Sequence, residues 1–407
     1  MRSIRIIGGK KLFGTVEVSG SKNAALPILF STIITRGISV IRRVPDIGDV
    51  RVAISILESL GASVIRIGDT LTVDTRSLHY RDPSPTLTSA IRASTYLLGA
   101  SLSRFGLCRI SSVGGCSFSD RPIDMHLYAT LAFGGVREGD LISCSKLSGC
   151  ELDFSIKSVG ATINSIIMAA SAKGKTVIRG HASEPHIESL IDFLVSAGAL
   201  ISFSEREIIV EGRELHGGDV TVIGDMIEAG SYLAAGLITG GEVTVTGCDV
   251  SHLSAFNRAV SMLGASVTAK KSSVTVHSEG RYSFIRVTAA PYPAFPTDLQ
   301  PIIAPLMARG AGGEIFDTVW TSRYGYLASL TPFGLSYSLK DGYATVNRSD
   351  LNAGETRATD LRGGMSALLC ALAADGESVI HGAEIIMRGY ERPELKLRSL
   401  GATVFLE

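Results

Sequence analysis

Long apolar runs are missing from this sequence. Stretches such as Ala24-Ala25-Leu26-Pro27-Ile28-Leu29-Phe30 stop well short of the roughly 20 residues that a membrane-spanning helix needs, so no membrane span is expected. An excess of either charge is missing too. There are 39 basic and 39 acidic side chains, and only 19% of residues are charged, which argues against a polyanion-binding surface and against disorder. Nucleic acid is therefore not an expected partner. Cysteine is sparse: six residues (108, 116, 144, 150, 248 and 370) contain no Cys-x-x-Cys pair. That pattern points to reduced thiols, not to a disulfide frame or a zinc site, and no other metal-ligand cluster stands out. The opening Met1-Arg2-Ser3-Ile4-Arg5-Ile6-Ile7 has neither the apolar region nor the small-residue cleavage site of a secretion signal. A cytoplasmic protein is the expectation.

What the sequence has in excess is glycine, 44 in 407 residues, against a usual share of about 7%. At this length, with 45% apolar residues, two domains of about 200 residues each are expected. The glycines recur in register: Leu60-Gly61-Ala62, Phe133-Gly134-Gly135, Ala197-Gly198-Ala199, Leu263-Gly264-Ala265, Phe333-Gly334-Leu335 and Leu400-Gly401-Ala402. Their spacings of 73, 64, 66, 70 and 67 residues mark six internal repeats. Each glycine follows a segment with 3.6-residue periodicity, such as Val50, Ala53, Ile54 and Leu57, and is placed to form a left-handed helix cap. Upstream lies a β-branched strand, as in Gly37-Ile38-Ser39-Val40-Ile41 or Gly241-Glu242-Val243-Thr244-Val245. Before the strand comes a helix of Ala, Gly and Ser that is apolar on nearly all sides and so predicted to be buried. These first helices are read at 23–35, 92–103, 161–172, 227–239, 299–308 and 363–373. After the glycine, alternation such as Ser63-Val64-Ile65-Arg66-Ile67, a Gly68-Asp69 turn and Leu71-Thr72-Val73 reads as a hairpin. One unit is helix, strand, helix, hairpin, final strand.

The sixth unit breaks off after Leu400-Gly401-Ala402. Ile4-Arg5-Ile6-Ile7 and Thr15-Val16-Glu17-Val18 supply the strands it lacks. Two three-repeat domains are predicted, 22–224 and 1–21 with 225–407, joined by two chain crossings that suit a hinge.

Polar residues gather where the buried helices begin: Ser21-Lys22-Asn23, Arg92, Ser158-Val159-Gly160, Asp225 and Glu228, Thr297-Asp298, and Thr359-Asp360-Leu361-Arg362. Taken singly, Ser158, Thr297 and Asp360 read most simply as N-caps, and Lys22 and Arg92 as surface charges. Taken together, six helix starts facing one cleft, with Lys22, Arg92, Arg121, Arg362 and Arg388, predict an anion site. Most cysteines are small core residues. Cys116, however, lies in Val113-Gly114-Gly115-Cys116-Ser117-Phe118-Ser119-Asp120-Arg121-Pro122, a glycine-led loop inserted in the second repeat, where a thiol beside a cation tends to be reactive.

These segments, with Ile91-Arg92-Ala93-Ser94, Ala294-Phe295-Pro296-Thr297-Asp298 and Arg388-Gly389-Tyr390-Glu391, resemble those of the enolpyruvyl transferases along essentially the whole chain. The resemblance implies the inside-out α/β barrel, two domains of three repeats each. It implies transfer of the enolpyruvyl group of phosphoenolpyruvate to the 3′-hydroxyl of UDP-N-acetylglucosamine with release of phosphate, the step that opens peptidoglycan synthesis, without metal or organic cofactor. In such a reaction Lys22, Arg121 and Arg388 bind phosphoenolpyruvate, with Arg92 and Arg362 in the same anion site. Asn23 positions the hydroxyl, Asp298 acts on its proton, and Cys116 serves as acid or aids product release and is the residue alkylated by fosfomycin. Contacts to the sugar nucleotide map to Arg121, Pro122, Ile123, Asp124, Ser158, Val159 and Gly160, and Val319 is a further substrate-binding residue.

The chain departs from the family pattern at Ser89, at Glu184-Pro185-His186, at Met226 for an arginine, in Thr321-Ser322-Arg323-Tyr324-Gly325-Tyr326, which keeps only the arginine, and at Ile385 and Met387. The alternatives are the same chemistry on another hydroxyl, such as that of shikimate 3-phosphate, or a ligand-binding protein without turnover.

Overall fold

The structure, a computed structural model, describes residues 2–110 and 123–407. They form two compact units, one of residues 2–19 with Gly224–Glu407 and one of the described residues in 20–223. Each unit has its own apolar core and, among the described residues, three sheets.

Each core is built on three inner helices. In the 20–223 unit these are Lys22–Ser31, Tyr96–Phe105 and Val159–Ser171, and in the other Met226–Ile238, Gln300–Arg309 and Leu361–Ala373. The second and fifth are entered through a 3-10 turn, Arg92–Thr95 and Thr297–Leu299, so Arg92 and Asp298 lie on tight turns ahead of regular helix. All 13 residues of Leu361–Ala373 are buried, as expected of a helix apolar all round. Small residues permit the close packing. A Cβ on Gly99 would come within 3.0 Å of the Asn164 carbonyl oxygen, and the Gly99 N–H instead donates to Asn164 Oδ1 at 3.0 Å.

The sheets show how the repeats interlock. In the first repeat, Ile38–Arg42 is central: it pairs antiparallel with Thr70–Asp74, which pairs with Ser63–Ile67 across the Gly68-Asp69 turn. Its other edge is covered in parallel by Asp219–Thr221, the final strand of the third repeat. The same handover joins Glu151–Asp153 to Lys175–Arg179, Ile285–Ala289 to Gly313–Asp317, and Glu355–Arg357 to Gly376–His381. In the unit containing residues 2–19, the strands near the start of the chain close the cycle. Ser3–Gly8 lies between Gly376–His381 and Thr403–Leu406, and Phe13–Glu17 runs parallel to Glu242–Thr246.

The second repeat departs from this plan. Among the described residues its sheet, Leu107–Arg109 with Leu141–Ser143 and Val136–Glu138, has three strands and no parallel partner from the first repeat. The stretch that would supply one contains Pro83 and Pro85, which lack the N–H a ladder requires.

All six repeat glycines, 61, 134, 198, 264, 334 and 401, have φ between +85° and +105°. In five repeats the residue after the glycine bonds back five positions, as Ala62 N–H to Leu57 O at 3.1 Å, while the glycine N–H bonds back three, a Schellman closure. The fifth differs. Its outer helix, Gly325–Phe333, is 3-10 with Pro332 inside, and proline has no N–H for an α-type bond.

At Gly401, φ is +99° and a Cβ would meet nothing within 4 Å, so only backbone strain opposes a side chain. Gly401→Ala is expected to lower stability in urea denaturation by about 1–2 kcal/mol. Gly325 has open space and no positive φ, and Gly325→Ala should be neutral or stabilising by about 0.5 kcal/mol. Equal effects at the two positions would contradict the assignment of Gly401 as an obligatory left-handed cap.

Candidate active site

In the 20–223 unit, Lys22 and Asn23 open the first inner helix. The Lys22 ammonium meets Asp49 Oδ2 at 2.6 Å, with side chains 12% and 3% exposed. Arg92 is partly buried ahead of the second inner helix, and burial lowers its pKa from the ordinary value, with Tyr96 opposing. Ser158 caps the third, its Oγ accepting the Ala161 N–H at 3.3 Å. Val159 and Gly160 form the first turn.

Asp124 opens the helix Asp124–Ala132, with Ile123 as its N-cap. Two residues on, His126 is buried against Gly160, where a Cβ would come within 2.9 Å of the imidazole Cε1 and Nε2. Asn164 Nδ2 lies 2.7 Å from His126 Nδ1 and also donates to Thr95 O at 2.9 Å. An amide donor on Nδ1 assigns the ring proton to Nε2. The structure thus brings the 123–124 and 158–160 segments together, through a histidine whose role had no signal in the sequence beyond its place after Ile123-Asp124-Met125. Cys116, Arg121 and Pro122 lie outside the described residues.

In the other unit, Asp298 is held by two arginines. Oδ1 accepts from Arg323 at 2.7 Å and Oδ2 from Arg362 at 3.3 Å. Arg362, 2% exposed, stacks on the Tyr390 ring at 5.2 Å. Its Nε and a second terminal nitrogen are buried, with no hydrogen-bond partner by geometry among the described residues. Asp360 caps the sixth inner helix, accepting from the Arg362 and Gly363 N–H groups at 2.9 and 3.0 Å.

Thr297 is not a cap: its hydroxyl donates to Asp317 Oδ2 at 2.6 Å. Asp317 Oδ1 accepts the Val319 and Trp320 N–H groups at 2.9 and 2.8 Å, which ties Val319 to the Asp298 turn. Arg388 is half-buried two residues before Tyr390. Three of the departures from the family pattern lie in this unit's interior. Met226 and Ile385 pack against the apolar core, and Tyr326 is buried with its hydroxyl unpartnered among the described residues.

Asp49 was missed from sequence, since an acid in a helix's first turn is common everywhere. Arg323 carried a signal, as the one residue retained in its motif, but its pairing with Asp298 did not. Asp225 accepts from the Ile227 and Glu228 N–H groups, and Glu228 bonds Lys396 Nζ at 2.6 Å. Burial pushes the Glu228 carboxyl above its usual range, with Lys396 opposing.

One unit carries Lys22 and Arg92 at helix starts, cations suited to an anionic substrate, and the other carries Arg362 at a helix start and a carboxylate fixed between two guanidiniums, groups suited to anion binding and proton transfer. A family model described as EPSP synthase (3-phosphoshikimate 1-carboxyvinyltransferase) matches residues 6–397. The chain belongs to the enolpyruvyl transferase family. It is 39% identical to the UDP-N-acetylglucosamine 1-carboxyvinyltransferase of Chlorobaculum parvum, over 99% of this chain and 98% of that one. It is 37% identical to the enzyme of the same name from Clostridium botulinum, over 99% of each. Among solved structures, the enolpyruvyl transferase NikO from Streptomyces tendae superposes with a TM-score of 0.90 at 26% identity, covering 100% of this chain and 98% of that one. EPSP synthase from Acinetobacter baumannii shares the fold, with a TM-score of 0.73 at 17% identity over 100% of both chains. The α/β fold is therefore that of the enolpyruvyl transferases. Among the described residues no helix is long and apolar enough to cross a membrane.

Burial, followed by the Arg92 charge, holds the His126 pKa down at about 4, from 6.5. The unfolded chain takes up this proton first as pH falls. The stability from neutral His126 is thus complete above about pH 6.5 and is lost as pH falls toward about 4, a change of about 3 kcal/mol at most. Urea midpoints measured between these limits should fall for the natural chain and fall less steeply for His126→Gln. Parallel slopes would refute a buried neutral imidazole.

Proposed function

We propose that this enolpyruvyl transferase moves the carboxyvinyl group of phosphoenolpyruvate to the 3′-hydroxyl of UDP-N-acetylglucosamine. The observation that carries the reading is full-length similarity, at 36–39% identity, to a series of relatives that all bear the name UDP-N-acetylglucosamine 1-carboxyvinyltransferase. The reaction is an addition and an elimination. The methylene carbon of phosphoenolpyruvate gains a proton, the sugar hydroxyl attacks carbon 2 and gives up its own proton, and the adduct then loses phosphate and a methyl proton. Lys22, Arg121 and Arg388 take the phosphoenolpyruvate anion, with Arg92 and Arg362 adding charge. Asn23 orients the hydroxyl and Asp298 receives its proton. Cys116 is the acid or release group. Ile123, Asp124, Pro122, Ser158, Val159, Gly160 and Val319 hold the nucleotide. In this reading the working domains are 22–224 and 1–21 with 225–407, and the reaction runs in the cytoplasm, where phosphoenolpyruvate is made.

The description of the matching family model favours one alternative acceptor, shikimate 3-phosphate. Purified chain should release phosphate only when phosphoenolpyruvate and UDP-N-acetylglucosamine are both present. No release at high concentrations of both, or release with shikimate 3-phosphate in place of the sugar nucleotide, would overturn the proposal. Fosfomycin should add to Cys116, faster with the sugar nucleotide present; mass spectrometry placing the adduct elsewhere would remove Cys116 from the mechanism.

A further inference from the structure

Lys22 occupies a place where a cation is costly. It is the first residue of a buried helix, at the positive end of the helix dipole, its side chain is only 12% exposed, and its own helix has no acidic residue in the first turn. The balancing charge comes from a different helix: Asp49 Oδ2 at 2.6 Å, on a side chain 3% exposed. Asp49 is itself well placed. It is the second residue of Gly48–Ser59, where Ile47 at the N-cap provides no capping side chain, so its carboxylate is the acidic group of that first turn. The two helices pack against each other, which fixes the backbone on both sides of the ion pair.

We propose that Asp49 is a positioning residue for phosphate binding: its carboxylate fixes the place of the Lys22 ammonium that meets the phosphate group of phosphoenolpyruvate. The proposal rests on the reading of Lys22 as a phosphate ligand. A lysine is a point charge on a flexible stem, and ordering it on demand costs rotamer entropy. The contact with Asp49 makes that ordering part of folding, so the substrate meets a fixed donor. Asp49 also brings negative charge toward the phosphate. That repulsion acts from behind the ammonium and is partly cancelled by it, whereas the contact with Lys22 is direct. Orientation therefore outweighs repulsion, and loss of the carboxylate weakens binding.

The test uses the full chain with Asp49→Asn, Asp49→Ala and Asp49→Glu, titrated calorimetrically with inorganic phosphate and with phosphoenolpyruvate. Asn and Ala should weaken both affinities about tenfold, equivalent to about 1.4 kcal/mol. KM for phosphoenolpyruvate should rise by more than kcat falls, and KM for UDP-N-acetylglucosamine should stay within about twofold, because the lost orientation acts on one substrate. Asp49→Glu should recover part of the affinity, and added formate should recover part of that lost in Asp49→Ala. A lower Tm with unchanged phosphate affinity would make Asp49 merely structural and overturn the proposal, as would tighter phosphate binding. Phosphate titration needs no turnover. An inactive natural chain whose phosphate affinity depends on Asp49 would refute the transferase reading alone, and an active chain with no such dependence would refute this proposal alone.

Discussion

A cation carried into the interior at the first turn of a helix is opposed twice, by lost hydration and by the positive end of the helix dipole. Lys22 and Arg362 are both in this position, and each is met by a carboxylate anchored at the start of another segment: Asp49 for Lys22, and Asp298, shared with Arg323, for Arg362. Much of the remaining local structure follows from this need for compensation. The carboxylates lie on first turns, where they are themselves stabilised, and those turns are held by packing between helices. The charges are fixed because leaving any one alone would be costly. A protein with balanced charge overall thus keeps its cations at defined points.

Such points can be defined only if the helices carrying them do not shift. The inner helices meet through small residues with little space between them, as at Gly99 against Asn164. The sheets around them are interlocked, since most receive their last strand from the preceding repeat. No repeat is therefore a self-contained module, which distinguishes this architecture from a linear solenoid, where each repeat touches only its neighbours and the ends stay open.

The parts legible in the sequence were those with a local signature. The capping glycines could be read because a positive φ excludes most other residues, and all six have it. The buried helices could be read because their composition is apolar on every face. The missing fourth strand beside Leu107–Arg109 and the 3-10 form of Gly325–Phe333 had signals, in Pro83 and Pro85 and in Pro332, that periodicity alone passes over. The charge partners had none. Asp49 is 27 positions from Lys22, Arg323 is 25 from Asp298, and Arg362 is 64 from Asp298. Nothing in a linear pattern distinguishes these acids from ordinary helix-start residues, because their pairing exists only once separate helices and turns have packed. Family resemblance reached Arg362 and Asp298 through motifs, but it did not say what balances them.

The strand Ser3–Gly8, hydrogen-bonded on one side to Gly376–His381 and on the other to Thr403–Leu406, bears on how the molecule is made. It leaves the ribosome some 370 residues before either of its partners. At the usual 5–20 residues per second it waits roughly 20–75 s for them. Throughout that time its Ile4 and Ile6, fully buried in the finished sheet, are held in an unpaired β-strand sequence. The unit drawn from 20–223 needs no segment from outside that range for its sheets and is free to fold while synthesis continues. Assembly therefore has an order written into it, with the discontinuous unit finishing last, and the nascent chain is exposed to strand mispairing and chaperone capture at Ser3–Gly8.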